Sequence, residues 1–205
     1  MCGFHRPSYL EVSMHIQYSR PVPCLNIQRP QIKLAQYTYV FVAPTARCGL
    51  GLFTSRNVSP RDITVAVHDP DYLAKAKPYW QLRLSGLTHS DIFQVGHDLF
   101  IPPYGGLDDF TNHSCDPNCG LRVSATGFEM VALRAITAGE ELTYDYSTHQ
   151  EHPAEDMDCR CGASSCRSVV RSFSTLPAPL RRRYLDLGIV AAFIAEGENP
   201  ASPSQ

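Results

Sequence analysis

Apolar positions along this chain rarely keep a helical period for long. They fall in short runs of β-branched and aromatic residues, cut by turn formers. Gln36 to Val42 (QYTYVFV) reads as a strand that ends at Ala43-Pro44. Asp62 to Val67 (DITVAV) reads as another, and Tyr72 to Pro78 as a short helical turn. Tyr79 to Leu84, Asp91 to Val95 and His97 to Ile101 read as further short strands. Pro102, Pro103, Gly105 and Gly106 make a loop, and Leu107 to Phe110 leads out of it. Gly120 to Ser124 and Phe128 to Leu133 alternate well enough for a hairpin closed by Ala125-Thr126-Gly127. Ala138-Gly139 is a turn. The period changes only near the C-terminus. There PAPLRRRYLDLG sets Leu180, Tyr184, Leu185 and Leu187 beside three arginines and reads as an amphipathic helix stopped by Gly188. Ile189 to Ile194 extends that helix or packs back on it. Many short strands, frequent turns and little helix predict a β-rich fold. No internal repeat is visible.

A chain of 205 residues with 43% hydrophobic content suffices for one domain with a real core plus extensions. The net charge of −2, with no basic block, gives no ground for direct nucleic-acid binding. No apolar run reaches the ~18 residues of a membrane span, and the start lacks the pattern of a secretory signal. An intracellular protein, nuclear or cytoplasmic, is expected. Eight cysteines could form disulfides in a secreted chain. Without a signal, and with Cys159, Cys161 and Cys166 in one short CxCx4C run, metal binding is the better reading. Three thiolates leave a zinc tetrahedron one ligand short. Cys115 or Cys119 can supply the fourth.

Both of those cysteines lie in Thr111 to Cys119, TNHSCDPNC. Pro117 fixes its own φ, while Asp116 and Asn118 favour turns, so this segment bends sharply. Such a bend can aim main-chain groups and the polar Asn112 and His113 at one small ligand. Upstream, RCGLGLFT has two glycines flanking Leu50, where the backbone could approach a ligand closely. Downstream, EELTYDY sets Tyr144 and Tyr146 two residues apart, on one face of a strand.

NHSCDPN, then ELTYDY, then the cysteine tail, in this order, resembles the SET-domain protein-lysine methyltransferases. The resemblance covers about residues 36–173. It implies a SET fold of small curled sheets around a knot-like core, with a post-SET zinc tail. It divides the chain into an N-terminal extension (1–35), a SET domain (36–150), the tail (151–175) and a C-terminal helical extension (176–205). It implies S-adenosylmethionine bound against Cys48, Leu50, Asn112, His113 and Tyr146, with Arg160 and Phe173 of the tail closing over it. It selects Cys115 to complete a zinc site with Cys159, Cys161 and Cys166. Tyr146 takes the catalytic position, and Tyr144 the position that governs how many methyl groups are added. The implied substrate is a lysine of a protein or peptide, such as a histone tail. A SET-fold enzyme for a small molecule and a non-catalytic binding module are the alternatives.

The chain also departs from that pattern. An EYxGE segment common in the family is here ITVAVHDPD. A Tyr-x-Phe strand is replaced by Asp91 to Val95, and an arginine often found before NHSC is Asp109. The cofactor and zinc halves match while the lysine-channel half is altered, and Asp91 or His97 could stand in for the missing tyrosine. Any cysteine-rich module ahead of the domain is absent from the first 35 residues. His149 and His152 read as an exposed polar connector, and Arg181 to Arg183 as a solvated helix face.

Overall fold

The computed structural model describes residues 39–46, 49–88, 91–151 and 156–198. All of them fall in one unit, Gln31–Gln205. The expected N-terminal extension, Arg47, Cys48 and His152 lie outside the described residues.

The strands are short and build small sheets, as expected of a β-rich chain. β1 (Val40–Pro44) and β2 (Leu50–Thr54) form an antiparallel hairpin. β2 also pairs with β10 (Glu141–Tyr144), and β10 pairs in parallel with the two-residue β7 (Asn112–His113), in the order β1-β2-β10-β7. A second sheet has the order β3-β9-β8, from β3 (Ile63–His68), β8 (Cys119–Ser124) and β9 (Gly127–Ala132). β4 (Lys77–Pro78), β5 (Phe93–Gly96) and β6 (Leu99–Ile101) make a third, ordered β4-β6-β5. In the tail, β11 (Met157–Asp158) pairs with β12 (Val169–Val170).

Between β4 and β5 the chain corrects one expectation. Tyr79–Leu84 is a helix, α1, not a strand. Only Leu82 of it is buried, while Trp80 and Leu84 are 62% and 80% exposed. Pro78 stands just before its first turn, where a fixed φ suits helix entry. The apolar alternation that suggests a strand is therefore left largely in solvent. The expected turn at 72–78 is a short 3₁₀ segment, Leu73–Lys75, followed by β4. The β8–β9 hairpin closes more tightly than expected, because Gly127 already pairs with Ser124.

The main core gathers Leu52, Val65, Leu121, Met130, Ile136 and Leu142 from the first two sheets and their connections. A second cluster comes from the C-terminal segment. α2 (Ala178–Asp186) ends where Gly188, at φ 64°, and Ile189 return N–H bonds to the carbonyls of Leu185 and Tyr184. That pair of bonds forms the Schellman ending, which favours glycine at the left-handed position. A separate helix, α3 (Ala192–Glu198), follows. Tyr184, Ile189, Ala191 and Ile194 pack with Leu176 and with Phe173 of the tail.

Candidate functional site

The bent TNHSCDPNC segment is held by the strand it runs beside. β7 pairs Asn112 with Thr143 and His113 with Tyr144, and the Ser114 N–H donates to the Tyr144 carbonyl at 3.0 Å. Past the turn, the buried Asn118 donates to the Glu141 carbonyl at 2.7 Å and accepts the Thr143 N–H at 2.9 Å. The segment thus straddles β10, hydrogen-bonded to it on both sides of the bend. The Asn112 amide reaches in the other direction, donating to the Leu50 carbonyl at 2.9 Å and to Glu141 Oε1 at 2.7 Å. Gly51 permits this approach: a Cβ there would lie 2.4 Å from Glu141 Oε1. The hydrogen bond sets Leu50 beside Asn112, and β7 carries Asn112 and His113 next to each other. β7 is the last strand of its sheet, so among the described residues no strand pairs with its other side.

Tyr146 lies just past the end of β10 and opens a 3₁₀ turn, Tyr146–His149, so the two tyrosines do not share one strand face as their spacing suggests. The Tyr146 hydroxyl donates to the Thr111 carbonyl at 2.8 Å, and the Tyr146 N–H donates to His113 Nδ1 at 3.1 Å. The Tyr144 and Tyr146 rings lie 4.8 Å apart, and His113 meets Tyr146 edge-on at 5.3 Å. Burial lowers His113 to about 4, against the opposing pull of Asp145, so its ring is neutral. With Nδ1 accepting, the ring proton sits on Nε2, which faces Cys115 Sγ at 3.3 Å.

That sulfur belongs to a cluster. Cys115 Sγ lies 3.7 Å from Cys159 Sγ, which lies 3.6 Å from Cys166 Sγ. Cys161 Sγ accepts the Cys115 N–H at 3.5 Å, and the Arg167 N–H donates to Cys115 Sγ at 3.4 Å. One ligand atom each from His113, Cys115, Cys159 and Cys161 lies within 4.8 Å of the others. A tetrahedron with zinc–sulfur bonds of about 2.3 Å has edges of about 3.8 Å. The sulfur–sulfur spacings match that figure and are far too long for disulfides. Burial opposes charge on Cys161, but N–H donors from Cys115 and Ala163 outweigh it and lower the thiol to about 7. Burial pushes the Cys115 and Cys159 thiols up. The donor set suits zinc. Cys119 stands apart: burial pushes its thiol up to about 12, and its sulfur lies 3.9 Å from Thr64 Oγ1 within the core.

Several residues of the site carry no obvious mark in the sequence. Asp145 is 2% exposed and receives a two-pronged ion pair from Arg167, at 2.7 and 2.8 Å. It also accepts the Ser147 N–H at 3.1 Å and the Tyr184 hydroxyl at 3.2 Å. One carboxylate therefore joins the tyrosine segment, the cysteine tail and α2. Asp109, where the family often has arginine, accepts the N–H groups of Tyr104, Gly105 and Gly106 and so holds the loop before the site. Asp91 accepts from Thr88, and His97 pairs with Glu151 at 2.7 Å; both are exposed. Arg160 is exposed, while Phe173 is 1% exposed inside the C-terminal cluster, its N–H donating to the Gln150 carbonyl at 2.9 Å. Burial also lowers His149 to about 4, so this residue is no exposed connector.

Comparison with known proteins agrees with this geometry. Residues 49–147 match the SET domain. The chain is 31% identical to "Histone-lysine N-methyltransferase, H3 lysine-4 specific" of Saccharomyces cerevisiae, over 64% of this chain and 13% of that protein. It is 31% identical to an H3 lysine-36 specific counterpart of Chaetomium globosum, over 70% of this chain and 16% of that protein. With "Histone-lysine N-methyltransferase ash1" of Drosophila melanogaster the identity is 44%, over 35% of this chain and 3% of that protein. The chain thus spans at most about one sixth of the length of these relatives.

Proposed function

We infer from the SET domain that this chain carries across residues 49–147 that it transfers methyl groups from S-adenosylmethionine to a lysine amine of a protein, with histone H3 the foremost substrate. The observation that carries the reading is the Tyr144–Tyr146 pair, tilted against each other with ring centres 4.8 Å apart beside the edge strand Asn112–His113. When bound, S-adenosylmethionine supplies an electrophilic methyl group on a sulfonium. Methyl transfer then needs a neutral amine held in line with that methyl group, in a site shielded from water.

The residues suit those needs. The Asn112–His113 edge offers main-chain groups for an adenine ring, and the Asn112 amide pins β2 so that Leu50 borders the same space. Cys48 and Arg160 are assigned to that cofactor site with them. Phe173 supports the tail from within its core rather than covering the cofactor by its ring. The Tyr146 hydroxyl, fixed on the Thr111 carbonyl, presents its oxygen lone pairs to an amine and orients it. Tyr144 limits the room left as methyl groups accumulate. Cys115, Cys159, Cys161 and Cys166 hold one zinc, which ties the tail to the bend beside His113. The His113 Nε2–H directed at Cys115 favours the thiolate there. Among the described residues no helix is long and apolar enough to cross a membrane. A nucleosomal substrate would place the protein in the nucleus.

The test is transfer of a labelled methyl group to recombinant H3, to nucleosomes and to cell lysate, with calorimetric binding of S-adenosylmethionine alongside. Labelled lysine in a protein is the expected result. Cofactor binding with no labelled protein would overturn the substrate assignment and point to a small acceptor or to a binding module.

A further inference from the structure

His149 ends the 3₁₀ turn that Tyr146 begins, and its ring packs beside Tyr144. It is 3% exposed, and neither ring nitrogen has a hydrogen-bond partner. The Leu121 carbonyl lies near enough to favour the charged ring slightly, but outside hydrogen-bond geometry. The imidazole meets Tyr144 edge-on at 6.2 Å and packs against Phe93 of β5 at 5.1 Å. On the Tyr146 side, the buried Thr111 hydroxyl is likewise unpartnered, while its carbonyl holds the Tyr146 phenol. The surrounding frame is firm: the Ala191 N–H donates to the Thr148 carbonyl, and the Glu151 N–H to Gln94 Oε1.

An imidazole in this place costs the fold stability. A buried polar group without a partner costs about 1–3 kcal/mol, and phenylalanine would fill the same space between two aromatic rings without that cost. Such a cost, carried next to reacting groups, marks a residue kept for function. Direct proton abstraction is excluded, because a ring this easily deprotonated is far too weak a base for a lysine ammonium.

We propose that His149 is a positioning residue for methyl transfer, acting through Tyr144: its unpartnered ring nitrogens take up hydrogen-bonded water when an amine enters and so fix the Tyr144 ring. The inference rests on the function proposed above. A neutral imidazole offers one donor and one acceptor to such a water, and its neutrality adds no positive charge beside the sulfonium and the amine. The altered strand β5 thereby contributes to the acceptor site indirectly, by pressing Phe93 on His149.

The test compares wild type, His149→Phe and His149→Gln in the full chain. His149→Phe should melt no lower than wild type and bind S-adenosylmethionine within about twofold, yet lose about tenfold or more in kcat and change the ratio of mono- to dimethylated product. His149→Gln, which keeps a donor and an acceptor, should recover part of the kcat. Wild-type kcat and product ratio in His149→Phe would overturn the inference and leave the imidazole as an imperfect core residue. A second arm needs no turnover. n-Butylamine, a mimic of the lysine side chain, is added to wild-type protein with S-adenosylhomocysteine, and the His149 ring nitrogens are followed by NMR. A shift of their signals supports the inference, and unchanged signals overturn it. Absence of transfer by wild type on every acceptor would defeat the proposed function, while this second arm would still decide the role of His149.

Discussion

Between pH 6.5 and about 4 the unfolded chain binds a proton at His149 that the folded chain does not, because burial lowers the folded value. Folding stability is therefore complete above pH 6.5 and falls as the pH drops toward 4, by about 3 kcal/mol from this residue. His113 adds to the same slope in the same window. Urea unfolding at pH 7 and pH 5 should show the loss, and His149→Phe should flatten it. Tyr146→Phe removes one hydroxyl and its bond to Thr111, costing about 1 kcal/mol of stability. Its turnover should fall about a hundredfold or more, whereas Tyr144→Phe should keep turnover and raise the share of dimethyl and trimethyl product. Mass spectrometry of both reactions checks the pair. The two tyrosines, Asn112 and the four cysteines were legible in the sequence because each lies in a dense motif. Asp145, Arg167, Tyr184 and His149 were not. Each is a single polar residue whose meaning depends on a partner or on a burial that only the fold supplies. Asp145 and Arg167 stand 22 positions apart, and Asp145 and Tyr184 stand 39 apart.

At the scale of elements, the strongest periodicities were the readable ones. The β8–β9 hairpin and α2 follow alternation and helical spacing closely, and Gly188 ends α2 as expected. α1 escaped because six residues are too few to separate a helix from a strand when two of its apolar side chains, Trp80 and Leu84, face solvent. The parallel β7–β10 pair escaped for another reason. Two residues carry no period, and their partner lies some thirty positions downstream. The C-terminal cluster docks onto the second sheet at Gly120. A Cβ there would stand 2.5 Å from Ile189 Cγ2 and 2.8 Å from its Cβ, so the contact demands glycine. Gly120→Ala should lower stability by about 1–3 kcal/mol through this overpacking, with a matching fall in Tm.

For the whole molecule, the cysteine cluster and Asp145 together decide whether the tail stays on the domain. One zinc per chain is expected in freshly purified protein by metal analysis. Strong chelation, or Cys161→Ser, should remove it, lower Tm and weaken S-adenosylmethionine binding, because the tail then loses its tie to Cys115. Arg167→Met should cost about 3–5 kcal/mol, since it leaves the Asp145 carboxylate buried without its counter-charge. The Asp145 carboxylate also has a consequence in time. Its partners are collected from Ser147, then Arg167, and last from Tyr184 on α2. A ribosome delivers them in that order. A nascent chain halted before α2 would hold both tyrosines and every cysteine, yet its central carboxylate would lack the final hydroxyl and Phe173 would lack its apolar cover. Methyl transfer should therefore begin only after synthesis has passed Tyr184 and the helix has cleared the exit tunnel.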